Sequence, residues 1–252
     1  MNGLTYIGHA TTLLRLGDAS ILTDPMLRSW LGPLRRQGPA PPPELPQLSD
    51  LVLISHLHRD HLDLRSLRRL PADTPLVVPR GAARLAAKGG ADQVREIGRG
   101  ETITVDGVEI TGVQAVHDGY RDRHRGREIE PLGYLIRADG LSVYFAGDTD
   151  LFPEMSDLAS LDLALLPIWG WGTSVGAGHL DPERAARALQ MIRPRLAVPI
   201  HWGTLYLAGL RRLRPAPLTE PASNFVRFAR RFAPEVEVRV LEPGSETSLE
   251  PR

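Results

Sequence analysis

The sequence predicts an α/β fold, and three observations carry that reading. Residues 51–54, 113–116, 143–146 and 196–200 are short apolar runs rich in β-branched side chains, the mark of buried strands. Asp106-Gly107 and Asp139-Gly140 each separate two such runs, and this dipeptide favours a tight hairpin. Asp181-Pro182 opens a segment, 182–192, in which Ala185, Leu189 and Ile192 fall on one face, as in a capped amphipathic helix. Hairpins, helices and parallel-type strands are mixed throughout. No repeat or linker divides the chain, so residues 1–252 read as one domain.

In order, residues 4–16 and 19–23 read as two strands joined at Gly17-Asp18. Residues 26–49, rich in Pro, Arg and Gly, read as a long loop. Asp63 is a candidate N-cap for a helix carrying Leu64, Leu67 and Leu70. Residues 76–78 form a buried strand, and 81–88 an Ala-rich helix stopped by Gly89-Gly90. Hairpins follow over 102–116 and 133–145, then the 182–192 helix and the 195–200 strand. Phe225, Phe228 and Phe232 mark a helix over 224–232, and Val236, Val238 and Val240 alternate as a last strand.

Composition excludes several classes. The chain has 42% hydrophobic residues, enough for a sizeable core. Its 30 basic and 30 acidic side chains cancel, so no broad field steers it to nucleic acid. It has no Cys, hence no disulfide, thiolate ligand or Cys nucleophile. The first sixteen residues lack the apolar core of a secretory signal, and no run reaches the ~20 apolar residues of a membrane helix, so a soluble, cytoplasmic protein is expected.

Residues 56–61, His-Leu-His-Arg-Asp-His, place three imidazoles and a carboxylate directly after a buried strand. These are the donors that borderline-soft divalent ions take. On an extended backbone His56 and His58 point the same way, and Asp60 and His61 follow where the chain bends. The other buried runs end at His117-Asp118, Gly147-Asp148-Thr149 and His201-Trp202-Gly203-Thr204. Each alone is more often a satisfied histidine or a turn; together they suggest one pocket at the ends of a sheet.

His56, His58, Asp60, His61, a distant His117, Asp148 and His201 resemble the signature of the metallo-β-lactamase fold superfamily. Gly8-His9-Ala10-Thr11, Thr23-Asp24-Pro25, residues 32–36, residues 179–183 and His201-Trp202-Gly203-Thr204 are similar to a branch containing N-acylphosphatidylethanolamine-hydrolysing phospholipase D and L-ascorbate-6-phosphate lactonase. The resemblance implies a four-layer αβ/βα sandwich. It implies two divalent ions, zinc first and manganese or iron as alternatives. His56, His58 and His117 would hold one, Asp60, His61 and His201 the other, with Asp148 bridging. A hydroxide between the ions would attack a phosphodiester or other ester-like bond of a small molecule; a lactone or carboxylic ester is the alternative. Asp60 and His179 are the catalytic candidates. Asp24 is expected to orient a ligand His, and also reads as a plain turn residue. His9 is a similar case and also reads as a buried structural histidine. Trp169 and Trp171 suit a pocket wall or core packing. His124 is assigned no role.

The chain departs from that branch at Arg59, where close relatives often carry Tyr, and over residues 167–178. A neutral charge and no extra RNA-binding domain argue against a nuclease. His58 argues against a redox di-iron centre, and the intact donor set against a non-catalytic metal-binding module. A homo-oligomer remains open.

Overall fold

The computed structural model describes residues 2–122, 126–158 and 161–251; His124 lies outside them. The strands are β1 (Gly3–Gly8), β2 (Thr11–Leu16), β3 (Ala19–Thr23), β4 (Trp30–Leu31), β5 (Leu34–Arg36), β6 (Leu51–Leu53), β7 (Leu76–Pro79) and β8 (Val94–Ile97). Then come β9 (Thr102–Val105), β10 (Val108–Gln114), β11 (Leu132–Ala138), β12 (Leu141–Phe145), β13 (Leu163–Pro167), β14 (Leu196–Ile200), β15 (Leu205–Leu207), β16 (Glu237–Val238) and β17 (Glu246–Ser248). The helices are α1 (Leu64–Leu67), α2 (Ala83–Ala87), α3 (Pro182–Ile192) and α4 (Glu220–Phe232).

Two seven-stranded sheets pack face to face, ordered β17-β1-β2-β3-β6-β7-β8 and β16-β14-β13-β12-β11-β10-β9. Alternation assigns the layers. In β6, Leu51 and Leu53 enter the core between the sheets, while Val52 points outward among residues of α1 and α2. In β12 and β13, Val143, Phe145, Leu163 and Leu165 face inward, and Tyr144, Ala164 and Leu166 face α3 and α4. Strands covered on both sides read as continuous apolar runs, which is why their sequences do not alternate. The result is an αβ/βα sandwich. β3, β6, β7 and β8 run parallel, as do β12, β13, β14 and β16, so their C-terminal ends gather at one edge.

Several expectations are corrected. Residues 4–16 are two strands: Gly8 (φ 118°) and His9 (φ 61°) turn the chain back at His9-Ala10. A Cβ on Gly8 would lie 2.8 Å from Arg36 Nη1, so only glycine fits there. Residues 26–49 are not merely a loop. They contain the β4–β5 hairpin, a 3-10 turn at Leu45–Leu48, and a pairing with β15 that makes a third sheet. Buried Arg36 secures this segment by donating to the carbonyls of Ile7 (3.1 Å) and Met26 (2.6 Å). Asp63 does cap α1, but the helix stops at Leu67. The 224–232 helix begins earlier, at Glu220, because Pro221 is tolerated in a first turn. The last strand shrinks to β16, which pairs with β14 only at Glu237 and Val238. Beyond the strands of the small sheet, three more carry no clear sequence signal. β8 and β17 are short edge strands, and β13 is an apolar run too short to distinguish from helix by period. No described helix is long and apolar enough to cross a membrane.

Helix α3 keeps the predicted bounds, and the Asp181 carboxylate accepts from Arg184 N at 2.8 Å. Asp181→Ala is expected to cost about 1 kcal/mol of stability, read as a lowered urea midpoint at unchanged slope.

Candidate metal centre

The centre is built where the parallel strands end. After β6 the backbone N–H of Ser55 donates to Asp24 Oδ1 (2.7 Å), and Leu62 N returns to His58 O (2.8 Å), closing a turn. This turn directs His56, His58, Asp60 and His61 inward. β10 delivers His117, β12 delivers Asp148, the approach to α3 delivers His179, and β14 delivers His201. His9, at the β1–β2 turn, completes the ring.

The inner atoms are crowded. His56 Nε2 and His117 Nε2 each lie 3.0 Å from His58 Nδ1. His61 Nε2 and His201 Nε2 are 3.1 Å apart, and each is 3.2 Å from Asp148 Oδ2. The same oxygen is 3.9 Å from His117 Nε2 and 3.5 Å from His179 Nε2. Asp60 Oδ2 is 3.9 Å from both His61 Nε2 and His201 Nε2.

The outer ring nitrogens explain the orientation. His61 Nδ1 donates to Asp24 Oδ2 (2.7 Å), His117 Nδ1 to Gly178 O (2.8 Å) and His201 Nδ1 to Trp169 O (2.7 Å). Ser55 Oγ gives its proton to Asp24 Oδ2 (2.6 Å), so it accepts from His56 Nδ1 at 2.9 Å. With their N–H groups spent outward, His56, His117 and His201 turn unprotonated Nε2 atoms into the centre, the first two 3.0 Å from His58 Nδ1 and the third 3.1 Å from His61 Nε2. Such inward lone pairs suit a cation, and outward partners of this kind are what metal-bound imidazoles have. Asp148 Oδ1 is buried with no hydrogen-bond partner, a second feature that suits a cation. The donor set therefore fits divalent ions.

Electrostatics point the same way. Burial lowers His9 to about 3 and His117 to about 4, and holds His56 and His58 below the usual range. Burial works against charge at His61 too, but Asp148, Asp60 and Asp24 outweigh it and raise His61 well above 6.5. Burial would likewise push Asp60 up; His61 and the hydrogen bond from His9 hold it well below the carboxylate range. His9 is thus neutral and donates Nε2–H to Asp60 Oδ2 at 3.0 Å.

The centre forms the floor of a cleft of about 1180 Å³. The Leu31–Leu34 tip of the β4–β5 hairpin borders one side and residues 170–177 the other. Trp171 lines this cleft. Trp169 does not: its side chain packs with the helical layer and borders a smaller hollow, while its carbonyl holds His201. The sequence reading missed Ser55, Gly178 and Arg121. Ser55 adjoins His56, but a lone serine carries no signal. Gly178 is needed because a Cβ there would sit 3.3 Å from His117. Arg121 Nη1 donates to Leu57 O and Leu62 O, bracing the His56–His61 turn from a charged stretch that reads as plain surface.

The family described as the beta-lactamase superfamily domain matches residues 19–202. A protein of Opitutus terrae named as a metal-dependent hydrolase is 34% identical over 96% of this chain and 97% of its own. One of Methanopyrus kandleri, also named as a metal-dependent hydrolase, is 32% identical over 96% and 97%. The solved structure of Igni18, described as a metallo hydrolase of Ignicoccus hospitalis, covers 99% of this chain and 98% of that one, with a TM-score of 0.73 at 27% identity.

The lowered histidines set a pH window for the metal-free protein. Below about 6.5 the unfolded chain takes up protons that folded His9, His56, His58 and His117 refuse, so stability falls as pH drops toward about 4 for His117 and about 3 for His9. Raised His61 and His179 act oppositely: their contribution is complete below 6.5 and is lost as pH rises through their folded values. Chelator-treated protein is expected to melt highest near 6.5, as measured by Tm across pH.

Proposed function

The chain belongs to the metallo-β-lactamase superfamily of metal-dependent hydrolases, and from that premise we propose that it holds two divalent ions, zinc first, and hydrolyses a phosphodiester or similar ester of a small molecule. His56, His58 and His117 would hold one ion and Asp60, His61 and His201 the other, with Asp148 shared. The observation that carries this is the set of inward-facing nitrogens, 3.0–3.1 Å apart, beside the unpartnered Asp148 Oδ1. When bound, such ions supply a Lewis acid and water of lowered pKa, hence a nucleophile near neutrality.

The remaining roles fall to the chain's own groups. Asp24 fixes the His61 ring through Nδ1, and His9 fixes the Asp60 carboxylate. His179 stands at the cleft floor, one quarter exposed. Burial opposes its charge, but the hydrogen bond and charge of Asp148 win and raise its pKa. That shift favours a proton on the ring, and with Nδ1 turned to Ala177 O, Nε2 is the atom that would give a proton to a leaving alkoxide.

The cleft walls favour an anionic ester. Apart from Asp60 and Asp148, they carry Arg28, Arg59, Arg65, Arg68 and Arg121 against Asp63 and Asp118. Arg28 is paired with Asp63, Arg59 with Asp122, and Arg121 is held by the Leu57 and Leu62 carbonyls, which leaves Arg65 and Arg68 for substrate charge. A lactone or carboxylic ester is the second reading, favoured by Leu31, Pro33, Leu34 and Leu64 in the same walls. Trp171 would contact either.

Metal analysis beside turnover of a generic bis-phosphodiester and a lactone tests this. Two ions per chain with phosphodiester turnover is expected; a metal-loaded protein inert to both would make it a binding module. Asp148→Asn should lower metal content and turnover together; two ions retained at full rate would remove the bridging role. His179→Ala should keep both ions and slow turnover roughly 10²–10⁴-fold; an unchanged rate would return His179 to a structural part.

A further inference from the structure

The outer face of the small β15-β5-β4 sheet joins basic side chains to exposed apolar ones. Register aligns Trp30, Arg35 and Tyr206 across the three strands, so their side chains share one face. Leu31, Leu34, Leu205 and Leu207 pack on the opposite side with Met26. Segment 210–214, Leu-Arg-Arg-Leu-Arg, folds back over Tyr206, whose hydroxyl donates to Arg214 O at 3.0 Å. Leu213 is 81% exposed and Trp30 49%. The Arg35 guanidinium carbon lies 5.6 Å from the Trp30 ring centre. Arg35, Arg211, Arg212 and Arg214 are exposed, and residues 25–43 and 199–219 contain no Asp or Glu. In a chain whose charges cancel, two sequence-distant segments thus concentrate one sign beside exposed apolar tips.

We infer that this face docks the protein onto an anionic phospholipid surface, with Leu213 and Trp30 entering the headgroup region and the four arginines meeting lipid phosphates. Tryptophan and basic side chains with an apolar tip are the composition of an interfacial anchor. A second copy of the chain is a poor occupant, because the face would meet its own positive charge. Single-stranded nucleic acid would need aromatic faces for stacking. Here Arg35 lies over Trp30, and Leu213 offers no ring. Each arginine near an anionic leaflet is worth about fivefold in partitioning, so four amount to several hundredfold. The hairpin tip Gly32-Pro33 belongs to the same sheet and lines the cleft, so docking would bring the cleft mouth close to the membrane. Docking is independent of what the centre hydrolyses, and its readout needs no turnover.

The test is sedimentation of the full chain with vesicles of phosphatidylcholine alone and of phosphatidylcholine mixed with phosphatidylglycerol. Pelleting with the mixed vesicles only, reversed by salt, is expected. The triple substitution Arg211→Glu, Arg212→Glu, Arg214→Glu should weaken partitioning about a hundredfold. Leu213→Ser should weaken it several-fold. Unchanged circular dichroism and metal content would show that both variants are folded. Failure to pellet with anionic vesicles, equal pelleting of the triple variant, binding to polyuridylate instead, or a dimer that the triple substitution dissolves would each overturn the assignment.

Discussion

One buried carboxylate, Asp24, organises the first half of the centre. Both its oxygens are used: Oδ1 receives the Ser55 backbone N–H, and Oδ2 receives Ser55 Oγ and His61 Nδ1. Its own N–H donates to Leu53 O at the end of the neighbouring strand, and its carbonyl accepts from Thr11 Oγ1. The end of β3, the β1–β2 hairpin and the turn after β6 are therefore fixed to one another through a single side chain and its peptide groups. A fully buried carboxylate with such partners is tolerated because both oxygens accept hydrogen bonds. Everything downstream, from the His56 tautomer to the direction of His61, inherits that geometry.

The backbone is held in uncommon conformations at the same places. His9 and His201 both sit at φ 61° and Asp24 at φ 34°, where residues with a Cβ rarely settle. Such positions cost of order 1–3 kcal/mol each and persist only when neighbours fix them. Here the neighbours are visible: His201 N donates to His9 O, and His9 N to Thr204 Oγ1. The two strained turns lock one another, which places both rings against Asp60 without help from regular structure.

How much of this was legible follows from how local each signal is. The His56–His61 turn, α3 with its Asp181 cap, and the strand ends carrying His117, Asp148 and His201 could be read because a few adjacent residues carry the information. The β1–β2 break was hidden because His9 is not a turn residue by type; its turn is imposed by Gly8 and by Thr204, far along the chain. The small sheet was hidden for the same reason, since β5 pairs with β15 across the whole fold and a Pro-rich stretch reads as loop on its own. Trp169 and Trp171 share a motif yet diverge, because two residues of backbone turn one toward the helices and the other toward the cleft. The hydrogen-bond acceptors Trp169 O and Gly178 O could not be read at all, because carbonyls are common to every residue.

The inward donors come in two sets. His9, His56, His58, Asp60 and His61 ride on the first sheet; His117, Asp148, His179 and His201 ride on the second or on the segment leading to α3. Neither sheet alone carries a complete set, so a folding intermediate with only one of them formed would own half a coordination shell. An ion held by donors from both sets would clasp the sandwich across its seam, and pulling it out would loosen one half against the other at the edge where the cleft opens.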